Sequence, residues 1–242
     1  MSRSLVVLPD DSARPMLDAI NHASRSLRIK MFVFSDPAIL QTVIAAHKRG
    51  VDVRVMLNPA RRSGESENEE SRKLLTTSGV NVLDSNPAFD LTHEKSMVVD
   101  DDTAFVMSFN WEPRNLTETR DYAVVTSAHH EVAEIMECFD ADWTRKPFVP
   151  GDHSHLIWCV GNGRQRIGQF LDEAKHTLWP QLIGPHRGKI IAGTPSYVPL
   201  ADCFHLVDGR SCSFYPLQAL CPYDPGGIRI SLASFLLENG SP

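Results

Sequence analysis

A chain of 242 residues with 42% hydrophobic and 22% charged residues is long enough to form one large globular domain or two small ones. Its net charge of −6 at pH 7 argues against a chain-wide basic surface for nonspecific nucleic-acid binding, although it is compatible with a local basic cleft. The N-terminal apolar run ends after four residues at Pro9, and no run of about 18 apolar residues follows, so we expect a cytoplasmic protein without a signal peptide or membrane span.

Short apolar strands alternate with amphipathic helices through the first 150 residues. The first helix has three candidate N-caps, Asp10, Asp11 and Ser12, and the second has Asp36 at its N-cap followed by Pro37. This alternation predicts an α/β fold with a layered, mostly buried sheet. The predicted strands are 5–8, 27–34, 51–57, 80–83, 96–100, 103–109 and 121–126, and the predicted helices are 10–24, 36–50, 64–79 and 129–143.

The chain then begins to repeat itself. Residues 5–30 align without gaps onto 156–181 at an offset of 151 residues, which carries over a strand, a loop length and the apolar face of a helix. Two unrelated amphipathic helices can also match in this way, so coincidence is the alternative. The pairs expected on the buried face are Leu5 with Leu156, Met16 with Ile167, Ile20 with Leu171, Ala23 with Ala174 and Leu27 with Leu178.

We therefore predict three parts of unequal character. Residues 1–150 form the α/β domain, 151–181 begin a second, truncated repeat, and 182–242 form an irregular tail that is rich in Pro and Gly. The five cysteines show no C-x-x-C pair and no histidine at zinc-site spacing, so we expect free thiols and no structural zinc. They are Cys138, Cys159, Cys203, Cys212 and Cys221.

One stretch, LTHEKSMVVDD, combines reactive side chains in an H-x-K-x4-D pattern: His93, Lys95 and Asp100. His93 and Lys95 lie two residues apart just before a predicted strand, so their side chains can point to the same side. Ser108 and Asn110 have the same spacing at the end of the next strand. An imidazole, an ammonium, a hydroxyl and a carboxamide can thus converge at one edge of the sheet.

This combination suits a phosphodiester. Lys95, Asn110 and Ser108 can bind the non-bridging oxygens and stabilise charge on a pentacoordinate phosphorus. His93 can attack phosphorus or act as a general acid–base, with Asp121 as a candidate orienter of its ring. Taken singly, each of these residues is more often an ordinary surface, turn or strand-end residue, and Asp100-Asp101-Asp102 alone is typical of a hairpin turn.

The segments HEKSMVVD and SFNW resemble the HKD signature of the phospholipase D superfamily, over roughly residues 4–150. The resemblance implies a mixed, largely buried sheet flanked by helices and phosphodiester chemistry without a metal or cofactor. It also implies a site shared by two HKD motifs, in which one His is the nucleophile and the other protonates the leaving group. The residues so assigned are His93, Lys95, Asp100 and Asp121 for catalysis, with Asp100 chiefly a structural partner, and Lys95, Ser108 and Asn110 for phosphate binding.

Two positions depart from the family pattern. Met107 stands where the family usually has Gly before the Ser, and Asp121 stands in for the Glu that usually orients the His. The repeat offset would place a second His at about residue 244, beyond Pro242, and no second H-x-K-x4-D occurs. We therefore expect a two-motif protein without its second motif, with a frameshifted or replaced terminus after residue 181.

Several functions remain open at this point. One is a phosphodiester hydrolase or phosphatidyltransferase that forms a phosphohistidine and takes its second HKD motif from another chain, as in a homodimer. The others are an inactive homologue that only binds phosphodiesters and a small nuclease-like phosphodiesterase. The segment SFNWEPRN is closer to the synthase and lipase branch, so we expect a phospholipid and peripheral membrane contact ahead of nucleic acid.

Overall fold

A computed structural model of the chain describes residues 3–60, 64, 66–89, 91–152, 154–159 and 161–173, and four strands beyond them. None of the helices in these ranges is both long and apolar enough to cross a bilayer. The helices are α1 (Arg14–His22), α2 (Pro37–Lys48), α3 (Glu69–Thr77), α4 (Pro113–Thr117), α5 (His129–Trp143) and α6 (Gly163–Asp172). The strands are β1 (Arg3–Leu8), β2 (Ser26–Met31), β3 (Asp52–Leu57), β4 (Asn81–Asp84), β5 (Leu91–Thr92), β6 (Ser96–Val99), β7 (Thr103–Met107), β8 (Asp121–Thr126), β9 (Ile157–Cys159), β10 (Trp179–Pro180), β11 (Cys203–Asp208), β12 (Ser211–Pro216) and β13 (Ile228–Leu232).

Seven strands form one mixed sheet in the order β1-β8-β7-β6-β2-β3-β4. The pairs from β1 to β2 are antiparallel, whereas β2, β3 and β4 run parallel to one another. The α/β fold with a mixed, largely buried sheet is therefore confirmed.

The two faces of the sheet bury two separate apolar clusters. On β6, Met97 and Val99 belong to the cluster that includes Met16 of α1, whereas Val98 belongs to the cluster that includes Val132 of α5. This alternation follows from the two-residue period of a strand. It assigns the side chains just before β6 to faces as well, because odd-numbered positions continue the α1 side and even-numbered positions the α5 side.

Two local predictions about the N-terminal unit are wrong. Helix α1 begins at Arg14, and Ala13 rather than a predicted cap residue holds the N-cap position. The Ser12 hydroxyl accepts from the Arg14 amide at 3.3 Å, and the Asp11 carboxylate accepts from the Val7 amide at 2.7 Å. Leu5 is 40% exposed rather than buried, because Val6 and Leu8 are the residues of β1 whose side chains face the core. The predicted cap of α2 is confirmed, since Asp36 accepts from the amide of Ile39 at 2.9 Å.

The C-terminal part contains strands where we expected an irregular tail. Strands β10, β11 and β12 form an antiparallel sheet, and β13 pairs in parallel with β5 and antiparallel with β9. The remaining residues after 173 lie outside the described residues, as does the proposed origin of the terminus. The division of the chain into three parts stays a prediction.

Asp100 holds the turn between β6 and β7 against the start of β2. Its carboxylate accepts hydrogen bonds from the amides of Ser24, Arg25 and Ser26 and from the Ser24 hydroxyl, at 2.6–3.1 Å. Asp100 and Asp101 have φ angles of 54° and 59°, a left-handed conformation that Asp tolerates in a hairpin turn. Partial burial alone would raise the pKa of Asp100, but these hydrogen bonds outweigh it and hold the pKa below the ordinary value of 3.8.

We expect Asp100→Asn to lower the free energy of unfolding at pH 7 by about 1–2 kcal/mol, because the amide replaces a charged acceptor of several backbone amides. A carboxyl whose pKa is lower in the folded state than in the unfolded chain stabilises the fold at pH values above its unfolded-state pKa. The difference from wild type should therefore shrink as the pH falls below 3.8 towards the folded-state pKa. Urea unfolding at several pH values measures it. Asp102→Asn, at an exposed position of the same turn, is the matched control and should change little.

Candidate active site

The backbone brings the two predicted pairs of site residues to one edge of the sheet. The amide of Met107, at the end of β7, donates to the carbonyl of Lys95 at 2.9 Å. Four residues later the amide of Trp111 donates to the carbonyl of Val33 at 3.0 Å, just beyond β2. The segment that carries Asn110 therefore runs past the entrance to β6, where His93 and Lys95 lie.

His93 and Lys95 are in direct contact, which their spacing allows because it lets both side chains point to the same side. The Lys95 ammonium lies 2.6 Å from Nδ1 and 3.2 Å from Nε2 of His93, and donates to the His93 carbonyl at 2.9 Å. The ring of Phe32 lies 4.1 Å from the imidazole between centroids, and the ammonium lies 5.2 Å from the Phe32 centroid. The Phe32 ring thus forms an apolar surface beside His93 and Lys95 and makes a cation–π contact with the ammonium.

Ser108 supports Asp121 instead of pointing a free hydroxyl at a ligand. Its Oγ donates to Oδ1 of Asp121 at 2.7 Å and accepts from the Tyr122 amide at 3.0 Å. The second oxygen, Oδ2, accepts from the Thr119 hydroxyl at 2.5 Å. A serine has one proton to donate, so this geometry makes Ser108 an anchor for the Asp121 carboxylate. The roles of Ser108 in phosphate binding and of Asp121 in orienting His93 stay predictions.

The carboxamide of Asn110 is only half satisfied. Its Nδ2 donates to Glu112 at 2.7 Å, while Oδ1 is buried without a hydrogen-bond partner. An amide nitrogen carries two protons, so one N–H remains beyond the bond to Glu112. Asn110 is therefore oriented by a carboxylate and retains the capacity to donate to an anion.

Asp100 lies at the opposite end of β6 from His93 and Lys95. It follows the last residue of β6, whereas Lys95 precedes the first, and a strand of that length separates them by about 16 Å. Its hydrogen bonds run to residues 24–26, as described above. The structure thus places Asp100 in a supporting position, in line with the structural part of its predicted role.

The sequence reasoning missed three neighbours of these residues: Phe32, Glu112 and Thr119. Phe32 was read as part of a buried strand, although its ring contacts His93. Glu112 lies two residues after Asn110, and Thr119 two residues before Asp121, so spacing of the kind used for His93 and Lys95 is the signal that could have found them.

One buried cluster has the side chains of a metal site. Ligand atoms of Glu94, Cys138 and Asp142 all lie within 4.8 Å of one another. The ammonium of Lys30, however, lies 2.9 Å from Glu94, 2.7 Å from Asp142 and 3.5 Å from the Cys138 sulfur. A positive charge thus already occupies the position that a metal ion would take, so this cluster does not fit a metal ion.

The sequence matches a known family. The family model described as cardiolipin synthase, PLD-like domain, matches residues 16–143. The chain belongs to the phospholipase D-like family. That match covers more than half of the chain and includes His93, Lys95, Asn110 and Asp121, so the resemblance inferred from the HKD-type motif is confirmed at the level of the family.

Individual relatives and a solved structure are similar over a part of the chain. The mitochondrial cardiolipin hydrolase of Homo sapiens is 29% identical over 146 residues, which are 58% of this chain and 56% of that protein. A polyphosphate kinase of Vibrio vulnificus is 26% identical over 159 residues, 62% of this chain and 22% of that protein. Nuc, a phospholipase D family member from Salmonella typhimurium, has a solved structure with 27% identity and a TM-score of 0.54, covering 60% of this chain and 96% of Nuc. The chain thus spans about half the length of the cardiolipin hydrolase and under a quarter of the kinase.

Thr119→Val should lower the free energy of unfolding by about 1–2 kcal/mol, because it leaves an Asp121 oxygen that is largely buried without its hydroxyl partner. Thr117→Val is the matched control, since the Thr117 hydroxyl is exposed and donates only to the Pro113 carbonyl, at 2.8 Å. Its effect should stay within about 0.5 kcal/mol. Urea unfolding of the two variants compares them, and equal losses would contradict the assigned role of Thr119.

Proposed function

We propose that the protein is a phosphodiesterase of the phospholipase D type, with His93 as nucleophile. The observation that carries this proposal is the contact between the Lys95 ammonium and the His93 ring at 2.6 Å. An anionic phosphoryl group that approaches the imidazole there meets the ammonium at the same time. Positioning and charge stabilisation are thereby combined at one point.

In the proposed reaction, a ring nitrogen of His93 attacks phosphorus and the bond to the leaving alcohol oxygen breaks. A second, protonated imidazole gives its proton to that oxygen. It then takes a proton from water, which attacks the phosphohistidine, releases a phosphomonoester and regenerates His93. An alcohol in place of water would give phosphatidyl transfer by the same steps.

Lys95 and Asn110 are the groups that stabilise the charge on the phosphoryl oxygens in this scheme. Lys95 supplies the ammonium, and Asn110 the amide proton that remains beyond its bond to Glu112. Ser108 and Thr119 hold Asp121, which we propose to orient a His93 ring. Asp100 acts through the hairpin and not on the substrate.

The second imidazole is proposed to be His93 of another copy of the chain. The first 181 residues contain a single H-x-K-x4-D pattern, and the reaction needs two histidines with opposite protonation states. A symmetric pair of chains supplies both from one sequence position. This pairing supports the homodimer expected from the sequence.

For the substrate we propose a phospholipid phosphodiester, reached by peripheral contact with a membrane surface from the cytoplasm. The family description names cardiolipin synthase, and one relative is named a cardiolipin hydrolase. A net charge of −6 gives nucleic acid no general attraction to the surface, so it ranks second. A chain that binds phosphodiesters without cleaving them is the remaining alternative.

We expect His93→Ala to lower the turnover of bis(p-nitrophenyl) phosphate by at least about 1,000-fold, because no other group replaces the nucleophile. His22→Ala makes the same substitution at an exposed histidine of α1 and should leave turnover unchanged. Trapping with radiolabelled cardiolipin vesicles and with labelled DNA, followed by denaturing electrophoresis, tests for the phosphohistidine and identifies the substrate class. Equal turnover by wild type and His93→Ala would reject the proposal.

Subunit mixing tests the shared site. After exchange with an equal amount of His93→Ala chains, the activity of a fixed amount of wild-type chain should fall to about half, since mixed pairs lack one imidazole. A shared site also predicts that specific activity falls on dilution below the dissociation constant of the pair. Activity that is unaffected by the mixed-in variant would contradict a site built from two copies.

A further inference from the structure

A buried ionic cluster lies directly beneath the proposed site. Lys30, the last residue but one of β2, donates to Glu94 at 2.9 Å and to Asp142 of α5 at 2.7 Å, and the three residues are 1%, 2% and 1% exposed. The other Glu94 oxygen accepts from the Ser96 hydroxyl at 2.7 Å, and the other Asp142 oxygen accepts from the side-chain Nδ2 of Asn86 at 3.2 Å. Both carboxylates are thus fully engaged.

A cluster of this kind needs an explanation other than stability. The loss of hydration on burying three charges can exceed the attraction among them, so such networks contribute little net stability. They do define geometry, because each charged group has few positions in which it is satisfied. The contacts of this cluster should therefore fix the position of the segment that carries Glu94.

Glu94 lies between His93 and Lys95 in the chain. The contact between His93 and Lys95 puts both on one side of the chain, whereas Glu94 accepts from Lys30, whose ammonium also pairs with Asp142, on the α5 side. These residues precede β6, which begins at Ser96, and the main-chain bond from the Met107 amide to the Lys95 carbonyl holds only the end of this segment. The carboxylate of Glu94 adds a side-chain anchor between the two site residues.

We infer that Lys30, through Glu94 and with Asp142, is a positioning residue that fixes the location of His93 and Lys95 relative to the sheet. Lys30 does not touch the substrate in this scheme, and its effect passes through Glu94. The inference rests on the proposed function for its catalytic consequence, but the placement of His93 is a property of the folded chain and can be measured without turnover.

Arg28 provides a matched control on the same strand. It lies two residues before Lys30 and faces the same helix, where it pairs with Asp101 and with Asp140 at 3.4 Å. Its partners lie towards the opposite end of β6 from the site. Lys30→Met and Arg28→Met thus each remove one cation that ties the sheet to α5, but only Lys30→Met leaves Glu94 without its cation.

Turnover of bis(p-nitrophenyl) phosphate is the first measurement. Lys30→Met and Glu94→Gln should lower kcat about 10- to 100-fold with little change in KM, because a displacement of about 1 Å at the reacting groups has an effect of this size. Arg28→Met should retain kcat to within about twofold. Glu94→Gln keeps the size of the side chain and serves if Lys30→Met does not fold. A loss of kcat that is equal in Arg28→Met, or absent in Glu94→Gln, would overturn the inference.

The second measurement does not require an active enzyme. In protein labelled with 13C at histidine Cε1, His93→Ala assigns the His93 signal. That signal should shift in Lys30→Met and Glu94→Gln and stay in place in Arg28→Met. An unchanged His93 signal in the first two variants, or an equal shift in all three, would overturn the inference. If wild type lacks turnover but the signals respond as expected, the positioning stands and the proposed function fails.

Discussion

The ion pairs of Lys30 with Glu94 and Asp142 join the edge of the sheet to α5. Burying an unpaired ammonium is unfavourable, and in this chain two carboxylates are brought to it. Here those carboxylates come from Glu94, far along the chain from β2, and from Asp142 near the end of α5. A single buried charge thus specifies how three distant segments meet, which apolar packing alone would specify less sharply.

The mixed topology of the sheet explains why the site lies where it does. Because β6 is antiparallel to both β2 and β7, the start of β6 meets the ends of its two neighbours at one edge. Asp121 joins them there because β8 is in turn antiparallel to β7. Residues that lie in or next to four strands therefore come to one edge of the sheet without a long loop, and main-chain hydrogen bonds join the neighbouring strands there.

Local patterns predicted much of this. Hydrophobic alternation predicted the strand 121–126 and the helix 129–143 with the bounds that the structure has. The H-x-K spacing predicted that His93 and Lys95 can point to the same side, and the structure has them in contact. Strand order and the pairing of β6 with β2 could not follow, because they depend on contacts between residues far apart in sequence. Lys30 was overlooked because a lone charge in an apolar strand shows its partners only in three dimensions. The partner of the Ser108 hydroxyl was equally undetermined, since a hydroxyl serves a carboxylate as readily as a phosphate.

The place of Asp100 gives the H-x-K-x4-D pattern a meaning that is more architectural than chemical. Its two ends act at opposite borders of the sheet, one presenting reactive groups and the other fastening a turn to the backbone at 24–26. The four intervening residues are the four residues of β6, so the spacing of the motif equals the length of this strand. One residue more or fewer in this stretch would move each side chain before it to the other face of the sheet. With Asp100 still bound to residues 24–26, the His93 imidazole would then lie on the α5 side. The spacing of the motif is therefore as important for the structure as the identity of its residues.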